Sequence, residues 1–186
     1  MRALVLIDFQ KGFSDPIWGE RNNPGAEVVA LQLLAHWREL DWPVFHVQHV
    51  SQSVDGVFRG ELAEFMDGFG PQGEEVTIQK SVNSAFIGTE LENHLRRGQI
   101  KDLTICGLTT PHCVSTTTRM AGNLGFDADL VEDACAAFTS NANMAWKDDS
   151  QPSAQMIHDM ALAHLHGEFA SVIHSAVILN DTEILQ

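Results

Sequence analysis

The chain has 186 residues, 44% of them hydrophobic, and a formal net charge of −14 at pH 7. This length and composition predict a single globular domain spanning residues 1–186. The acidic charge argues against nucleic acids and anionic membranes as partners, because proteins that bind phosphate groups need a basic surface.

The number of cysteines and the sequence of the first residues predict the cellular location of the protein. The three cysteines, at positions 106, 113 and 135, have no metal-ligand spacing, and an odd number does not suit a disulfide framework. The five apolar residues before Asp8 are too few for a signal peptide or a membrane span. We therefore expect a cytoplasmic protein without a membrane partner.

The first predicted strand is the apolar run Ala3–Ile7, which ends on Asp8. A carboxylate at this position either caps the next turn or faces a crevice at the edge of the sheet, and position alone favours capping. The turn-rich loop Lys11–Asn23 follows and carries Phe13 and Trp18. Their rings are candidates for lining a substrate pocket or contacting another subunit.

A helix over 24–40 is predicted next, with Asn23 as its cap and apolar residues at helical spacing. The second strand, Val44–Val47, contains His46 and is followed by His49. A zinc site would need a third ligand at a fixed spacing. We therefore predict no metal and two ordinary histidines.

The glycine-rich stretch Ser51–Glu75 has the length of a lid or binding loop. A third strand, Val76–Gln79, ends on Lys80, which is either a solvated surface lysine or a cation beside the active thiol. The helical pattern of Ala85–Arg97 places Phe86 on its packing side. Phe86 is a further candidate for the substrate pocket.

A strand, a tight turn and a helix are predicted within Lys101–Gly125. Asp102–Cys106 is the strand, Thr110 the predicted N-cap and Pro111 the first helical residue, which places Cys113 in the third helical position. The free N–H groups and the helix dipole at that position favour the thiolate form. The alternative is a cysteine that only packs in the core.

Three further elements complete the chain: a strand at Ala128–Val131, a helix at Ser153–His166 and a last strand at Ser171–Leu179. Strands thus alternate with helices throughout. This alternation predicts a three-layer α/β/α fold with a mostly parallel sheet.

In parallel sheets of this kind, ligands bind beyond the carboxyl ends of the strands. Asp8, Lys80 and Cys113 each lie at or just after the end of a predicted strand. We therefore expect the three side chains to meet at one edge of the sheet.

Four segments together resemble the isochorismatase-like cysteine hydrolases, a family that includes nicotinamidases, N-carbamoylsarcosine amidase and isochorismatase. In chain order they are ALVLIDFQKGF, QKSVNSAF, ICGLTTPHCV and VEDACAAF. The resemblance implies a six-stranded parallel sheet of order 3-2-1-4-5-6. It also implies homodimers or homotetramers that act on a small-molecule substrate without a cofactor.

The resemblance further implies a catalytic triad of Asp8, Lys80 and Cys113, and a cis peptide between Leu108 and Thr109. In the implied mechanism Asp8 accepts the thiol proton and Lys80 balances the charges. Cys113 then attacks a carbonyl carbon to form a thioester. The backbone N–H groups of Thr109 and Cys113 would form the oxyanion hole.

The family leaves several activities open. Nicotinamidases carry a DxH…H metal site after the second strand, and HVQHVSQSVDG does not reproduce it, so neither that metal nor nicotinamide is expected. The cysteine favours an amide-type substrate. The alternatives are an isochorismatase-type vinyl-ether hydrolase, which would need cations for its acidic substrate, and a non-catalytic thiol sensor or interaction module.

Overall fold

Six strands form one all-parallel sheet in the order β3-β2-β1-β4-β5-β6, which confirms the expected topology. The computed structural model describes residues 1–147 and 151–180; residues 148–150 and 181–186 of the predicted domain lie outside the described residues. The strands are β1 (Arg2–Ile7), β2 (Val44–His49), β3 (Val76–Lys80), β4 (Asp102–Leu108), β5 (Asp127–Ala136) and β6 (Ser171–Ile173).

Helices flank this sheet in a three-layer α/β/α arrangement. Across residues 1–147 and 151–180, no helix combines the length and the apolar character needed to cross a membrane. The α-helices are α1 (Ala26–Glu39), α2 (Leu91–Arg97), α3 (Ser115–Asn123), α4 (Ala154–Ala163) and α5 (Ala176–Leu179). Short 3₁₀ turns occupy Lys11–Ser14, Pro16–Trp18, Gly60–Ala63 and Thr139–Asn141.

The core is centred on β1, whose residues 3–7 are at most 2% exposed. β1 pairs with β2 on one side and β4 on the other, and α1 packs across β1, β4 and β5. The indole of the buried Trp37 in α1 donates to the carbonyl of Arg2 at 3.2 Å. Burial on both faces explains the continuous apolar sequence of β1.

Gly107 allows β1 and β4 to pair up to their carboxyl ends. It lies opposite Ile7 in the parallel register and has a φ of +143°. A Cβ atom at this position would lie 2.1 Å from the carbonyl oxygen of Ile7, closer than any real contact. Only glycine, which has no Cβ, fits both the torsion and the space.

The last predicted strand, Ser171–Leu179, is wrong beyond Ile173. The N–H and hydroxyl of Ser175 donate to the Asp133 carboxylate at 2.8 and 2.6 Å. These bonds hold the chain at the start of α5 and so end the sheet ladder. A short apolar run such as that of α5 is compatible with either a strand or a helix, so the sequence alone did not distinguish them.

The helix predicted over Ala85–Arg97 begins only at Leu91. Before it, the Ser84 hydroxyl accepts the N–H of Phe86, and the Thr89 hydroxyl donates to the carbonyl of Ala85. Such local side-chain bonds compete with helical hydrogen bonds and favour turns.

The first helix begins after Gly25 and is not capped by Asn23, contrary to the prediction. The Asn23 amide instead donates to the carbonyls of Glu132 and Cys135, at 3.1 and 2.9 Å. Asn23 therefore ties the entry of α1 to β5, a long-range role that local sequence does not reveal.

Gly107→Ala is expected to lower the free energy of unfolding by at least about 2 kcal/mol, because the new methyl group meets backbone that cannot move away. Urea denaturation measures this loss. Gly125→Ala is the matched control: it has a φ of +81° but no atom within 4 Å of its ideal Cβ. It is expected to cost only about 1 kcal/mol. Equal losses in the two variants would contradict the close-approach argument.

Candidate active site

Asp8 lies directly after β1 and faces the site, so the capping interpretation is wrong. Its backbone has a φ of 56° in the left-handed region, which Asp tolerates better than most residues. The side chain is 1% exposed. Its Oδ2 accepts a hydrogen bond from Lys80 Nζ at 2.7 Å.

Lys80 is the last residue of β3, and its side chain is fully buried. It is therefore not a solvated surface lysine. Its Nζ lies 2.7 Å from Asp8 Oδ2 and 3.1 Å from Cys113 Sγ. A buried ammonium needs opposite charge and hydrogen-bond acceptors around it, and these two side chains supply both. The three predicted site residues thus meet at one edge of the sheet.

Cys113 lies in a π-helical turn, Thr110–Val114, that leads into α3. The predicted N-cap position is wrong by one residue, because Thr109 and not Thr110 is the N-cap. Pro111 is therefore the second residue of the turn. The Thr110 hydroxyl hydrogen bonds His158 Nδ1 at 2.8 Å instead. π-helical turns often mark functional sites.

The surroundings of Cys113 favour the thiol over the thiolate, which opposes the effect expected from the helix start. Burial raises its pKa to about 12, and the nearby Asp8 charge adds to this effect. The Lys80 ammonium lowers the pKa of Cys113, but by less than burial and Asp8 together raise it. Desolvation and a neighbouring carboxylate therefore act against any effect of the helix terminus.

Asp8 has the free oxygen that a proton acceptor needs. Its Oδ1 is buried and has no hydrogen-bond partner among the described residues, while Oδ2 is bound to Lys80. Burial raises the pKa of the Asp8 carboxyl, and Lys80 counteracts this. A carboxyl whose pKa moves towards neutrality is a better general base and acid.

The peptide bond between Leu108 and Thr109, just before the cysteine turn, is cis. Thr109 is 3% exposed. Among the hydrogen bonds of the described residues outside regular elements, none uses the Thr109 N–H as its donor. This buried donor lies four residues before Cys113 in the sequence, at the start of the nucleophile turn.

The predicted pocket residues separate into two places. Phe13 and Trp18 have ring centroids 5.0 Å apart and form an aromatic cluster with Phe58 and Phe138. Phe58 links this cluster to the site, since its ring lies 5.5 Å from that of His49. The predicted pocket residue Phe86 instead stacks on Phe126 at 5.8 Å.

His46 and His49 point to different partners, although both lie on β2. His46 is buried and its Nε2 hydrogen bonds Glu75 Oε2 at 2.8 Å. His49 Nδ1 lies 3.1 Å from Lys80 Nζ, inside the site. The strand continues to His49, two residues beyond its predicted end.

The site does not suit a divalent metal. One ligand atom each from Asp8, His49 and Cys113 lies within 4.8 Å of the others, which is a possible ligand set. However, the Lys80 ammonium is within hydrogen-bond distance of Asp8, His49 and Cys113. A metal ion would have to displace this buried cation, so Asp8, His49 and Cys113 together do not suit a divalent metal.

Sequence reasoning missed several residues around the site. Asn83 is exposed, and its Oδ1 lies 3.9 Å from Cys113 Sγ. The buried Gln10 hydrogen bonds the backbone of His49, and the buried His158 holds the nucleophile turn through Thr110. The sequence offered no signal for Gln10 or His158, because their hydrogen-bond partners lie far away in the chain.

Known proteins share this arrangement of strands and sequence. The sequence model of the isochorismatase domain matches residues 2–177. The chain belongs to the isochorismatase family. The isochorismatase family protein YrdC of Bacillus subtilis is 46% identical over 182 residues, covering 97% of this chain and 95% of the relative.

Two further relatives extend the comparison. A crystal structure of an isochorismatase family protein from Chromobacterium violaceum has 40% sequence identity and a TM-score of 0.90, covering 96% of this chain and 92% of that one. Nicotinamidase 3 of Arabidopsis thaliana is 27% identical over 159 residues, or 77% of each chain. Isochorismatase family members are hydrolases, and the family includes amidohydrolases.

Asp8→Asn is expected to speed the alkylation of Cys113 by iodoacetamide at pH 8, because the Asp8 charge raises the pKa of the thiol. The expected increase is about tenfold for each unit by which the pKa falls. Intact mass spectrometry follows the rate, and Cys113→Ala identifies the labelled residue. Asp127→Asn, an exposed aspartate at the start of β5, is the matched control and should leave the rate unchanged. Slower alkylation in Asp8→Asn would contradict the electrostatic account.

Proposed function

We propose that this member of the isochorismatase family is a cysteine hydrolase that cleaves an amide-type C–N bond in a small molecule. The observation that supports it is the position of Lys80 Nζ, 2.7 Å from Asp8 Oδ2 and 3.1 Å from Cys113 Sγ. A sensor thiol or an interaction module has no need of a buried base with a free oxygen beside the sulfur. A nucleophilic catalyst does.

The first half-reaction begins with the resting thiol. Asp8 Oδ1 accepts the proton of Cys113 as Sγ attacks the carbonyl carbon of the substrate. The positive charge of Lys80 stabilises the thiolate of Cys113 as it forms. The tetrahedral intermediate then collapses, the C–N bond breaks, and the amine or ammonia leaves with the proton held by Asp8. The acyl group remains on Cys113 as a thioester.

The second half-reaction consumes water. Asp8 accepts a proton from the water molecule as its oxygen attacks the thioester carbon. The C–S bond breaks, a carboxylic acid leaves, and the proton returns from Asp8 to Cys113. One amide and one water thus give one acid and one amine, with no cofactor.

Backbone donors at the nucleophile turn are proposed to stabilise the oxyanion of both intermediates. The buried Thr109 N–H and the N–H of Cys113 are the candidates. A buried N–H that has no acceptor among the described residues costs free energy, which is consistent with a donor kept for the substrate. Each such donor is worth about 3–4 kcal/mol in other enzymes.

The pairing of loop cations favours an uncharged substrate over isochorismate, which carries carboxylates. Of the three loop cations that could bind those carboxylates, Lys11 is bound to Glu64 at 2.7 Å and Arg21 to Glu27 at 2.8 Å, while Arg59 donates to the carbonyl of Ser53 at 3.2 Å. The aromatic cluster that contacts His49 is apolar. We therefore propose a neutral amide with a small apolar acyl group as the substrate class.

The test is to trap the acyl-enzyme. The protein is mixed with a panel of small neutral amides, ureas and esters, quenched in acid, and analysed by intact mass. The expected result is an adduct of one acyl group on Cys113 and release of the amine. Cys113→Ala should give no adduct and lose at least about 10³-fold in turnover, because the nucleophile is gone.

Two outcomes would contradict the proposal. An adduct that persists in Cys113→Ala would place the nucleophile elsewhere. Saturable hydrolysis of isochorismate, together with no detectable turnover of any amide, urea or ester, would establish the vinyl-ether alternative. Cys106→Ala is the matched control, because Cys106 is fully buried in β4 and should not affect adduct formation.

A further inference from the structure

The geometry points to His49 as a positioning residue of this site: its Nδ1 is the third acceptor that orients the Lys80 ammonium between Asp8 and Cys113. This inference rests on the proposed role of Cys113 as nucleophile. It adds a residue from β2 to a site otherwise built from the ends of β1, β3 and β4.

The ammonium group of Lys80 has three N–H donors and no acceptor. Three acceptors surround it: Asp8 Oδ2 at 2.7 Å, His49 Nδ1 at 3.1 Å and Cys113 Sγ at 3.1 Å. Each donor therefore has one partner. Without His49, one N–H of a fully buried cation would lose its acceptor and the group would be free to rotate away from the sulfur.

Two features hold His49 in this position. It pairs with Lys80 in the β2–β3 register, so the two side chains leave the sheet at the same level. The Gln10 side chain also hydrogen bonds the backbone of His49: Gln10 Oε1 accepts the His49 N–H at 2.7 Å, and Nε2 donates to the His49 carbonyl at 2.9 Å. The ring is therefore fixed from both the sheet and the loop after β1.

The ring must be neutral and protonated on Nε2, because Nδ1 can accept from an ammonium only with its lone pair free. Among the described residues, the ring lies near the titratable groups of Lys80, Asp8 and Cys113, and it also packs against the uncharged ring of Phe58. Burial lowers the pKa of His49 to about 4, and the Lys80 charge acts in the same direction. The acceptor is thus present at neutral pH.

The test compares two substitutions of similar shape in the full-length protein. In His49→Asn, Oδ1 takes the place of Nδ1 as an acceptor. In His49→Leu, a methyl group takes that place and accepts nothing. The rate of Cys113 alkylation by iodoacetamide is measured by intact mass from pH 7 to pH 10, and thermal unfolding checks that both variants fold. His164→Leu is the control, since His164 is exposed at the end of α4.

His49→Leu is expected to alkylate at least about tenfold more slowly at pH 8, because the thiolate loses an oriented countercharge. His49→Asn is expected to restore the wild-type rate and pH profile. His164→Leu should match the wild type.

Two results would overturn the inference. A wild-type rate in His49→Leu would show that the third acceptor is not needed. An equally slow rate in His49→Asn would assign the effect to packing of the ring on Phe58. Either result leaves the nucleophile intact, whereas a wild-type protein that forms no acyl adduct on Cys113 with any amide, urea or ester of the panel would overturn the proposed function itself.

Discussion

The site depends on one buried cation. The Lys80 ammonium lies among a carboxylate, an imidazole and a thiol, with no exposure to solvent. A buried charge is tolerated only when its donors are satisfied and an opposite charge is near. Asp8 provides that charge, and the same ammonium is available to a thiolate on Cys113 when it forms. The fold therefore stabilises in advance the charge separation that the proposed reaction requires.

The sheet topology brings these groups together. In the order β3-β2-β1-β4, Lys80 must reach across the end of β2 to meet Asp8 after β1, and this path passes His49. β1 pairs with β4 along its whole length, up to Ile7 opposite Gly107, because Gly107 has no Cβ that would clash with the Ile7 carbonyl. That pairing sets the distance between Asp8 and the turn that carries Cys113. Small backbone details thus control the geometry of the site.

Much of this could be predicted from the sequence, because strand ends are local features. The apolar run before Asp8 and the predicted strand before Lys80 marked two carboxyl ends, and parallel sheets place such ends at one edge. The family resemblance added the strand order. The protonation state of Cys113 could not be predicted, since it depends on how deeply long-range packing buries the sulfur beside Asp8.

The residues that support the site were also beyond sequence reasoning. His49, Gln10 and His158 act through hydrogen bonds to residues 31, 39 and 48 positions away. No local pattern encodes such partners. The errors at Thr110 and in the last strand have the same origin: tertiary hydrogen bonds, to His158 and from Ser175 to Asp133, override local preference.

A neutron crystal structure of the deuterated protein at pH 7 would test the central claim most directly, because it locates each proton in the site. The account predicts three deuterons on Lys80 Nζ, directed at Asp8 Oδ2, His49 Nδ1 and Cys113 Sγ, with the His49 deuteron on Nε2 and a deuteron on the sulfur. A neutral Lys80, or a deuteron on His49 Nδ1, would contradict it.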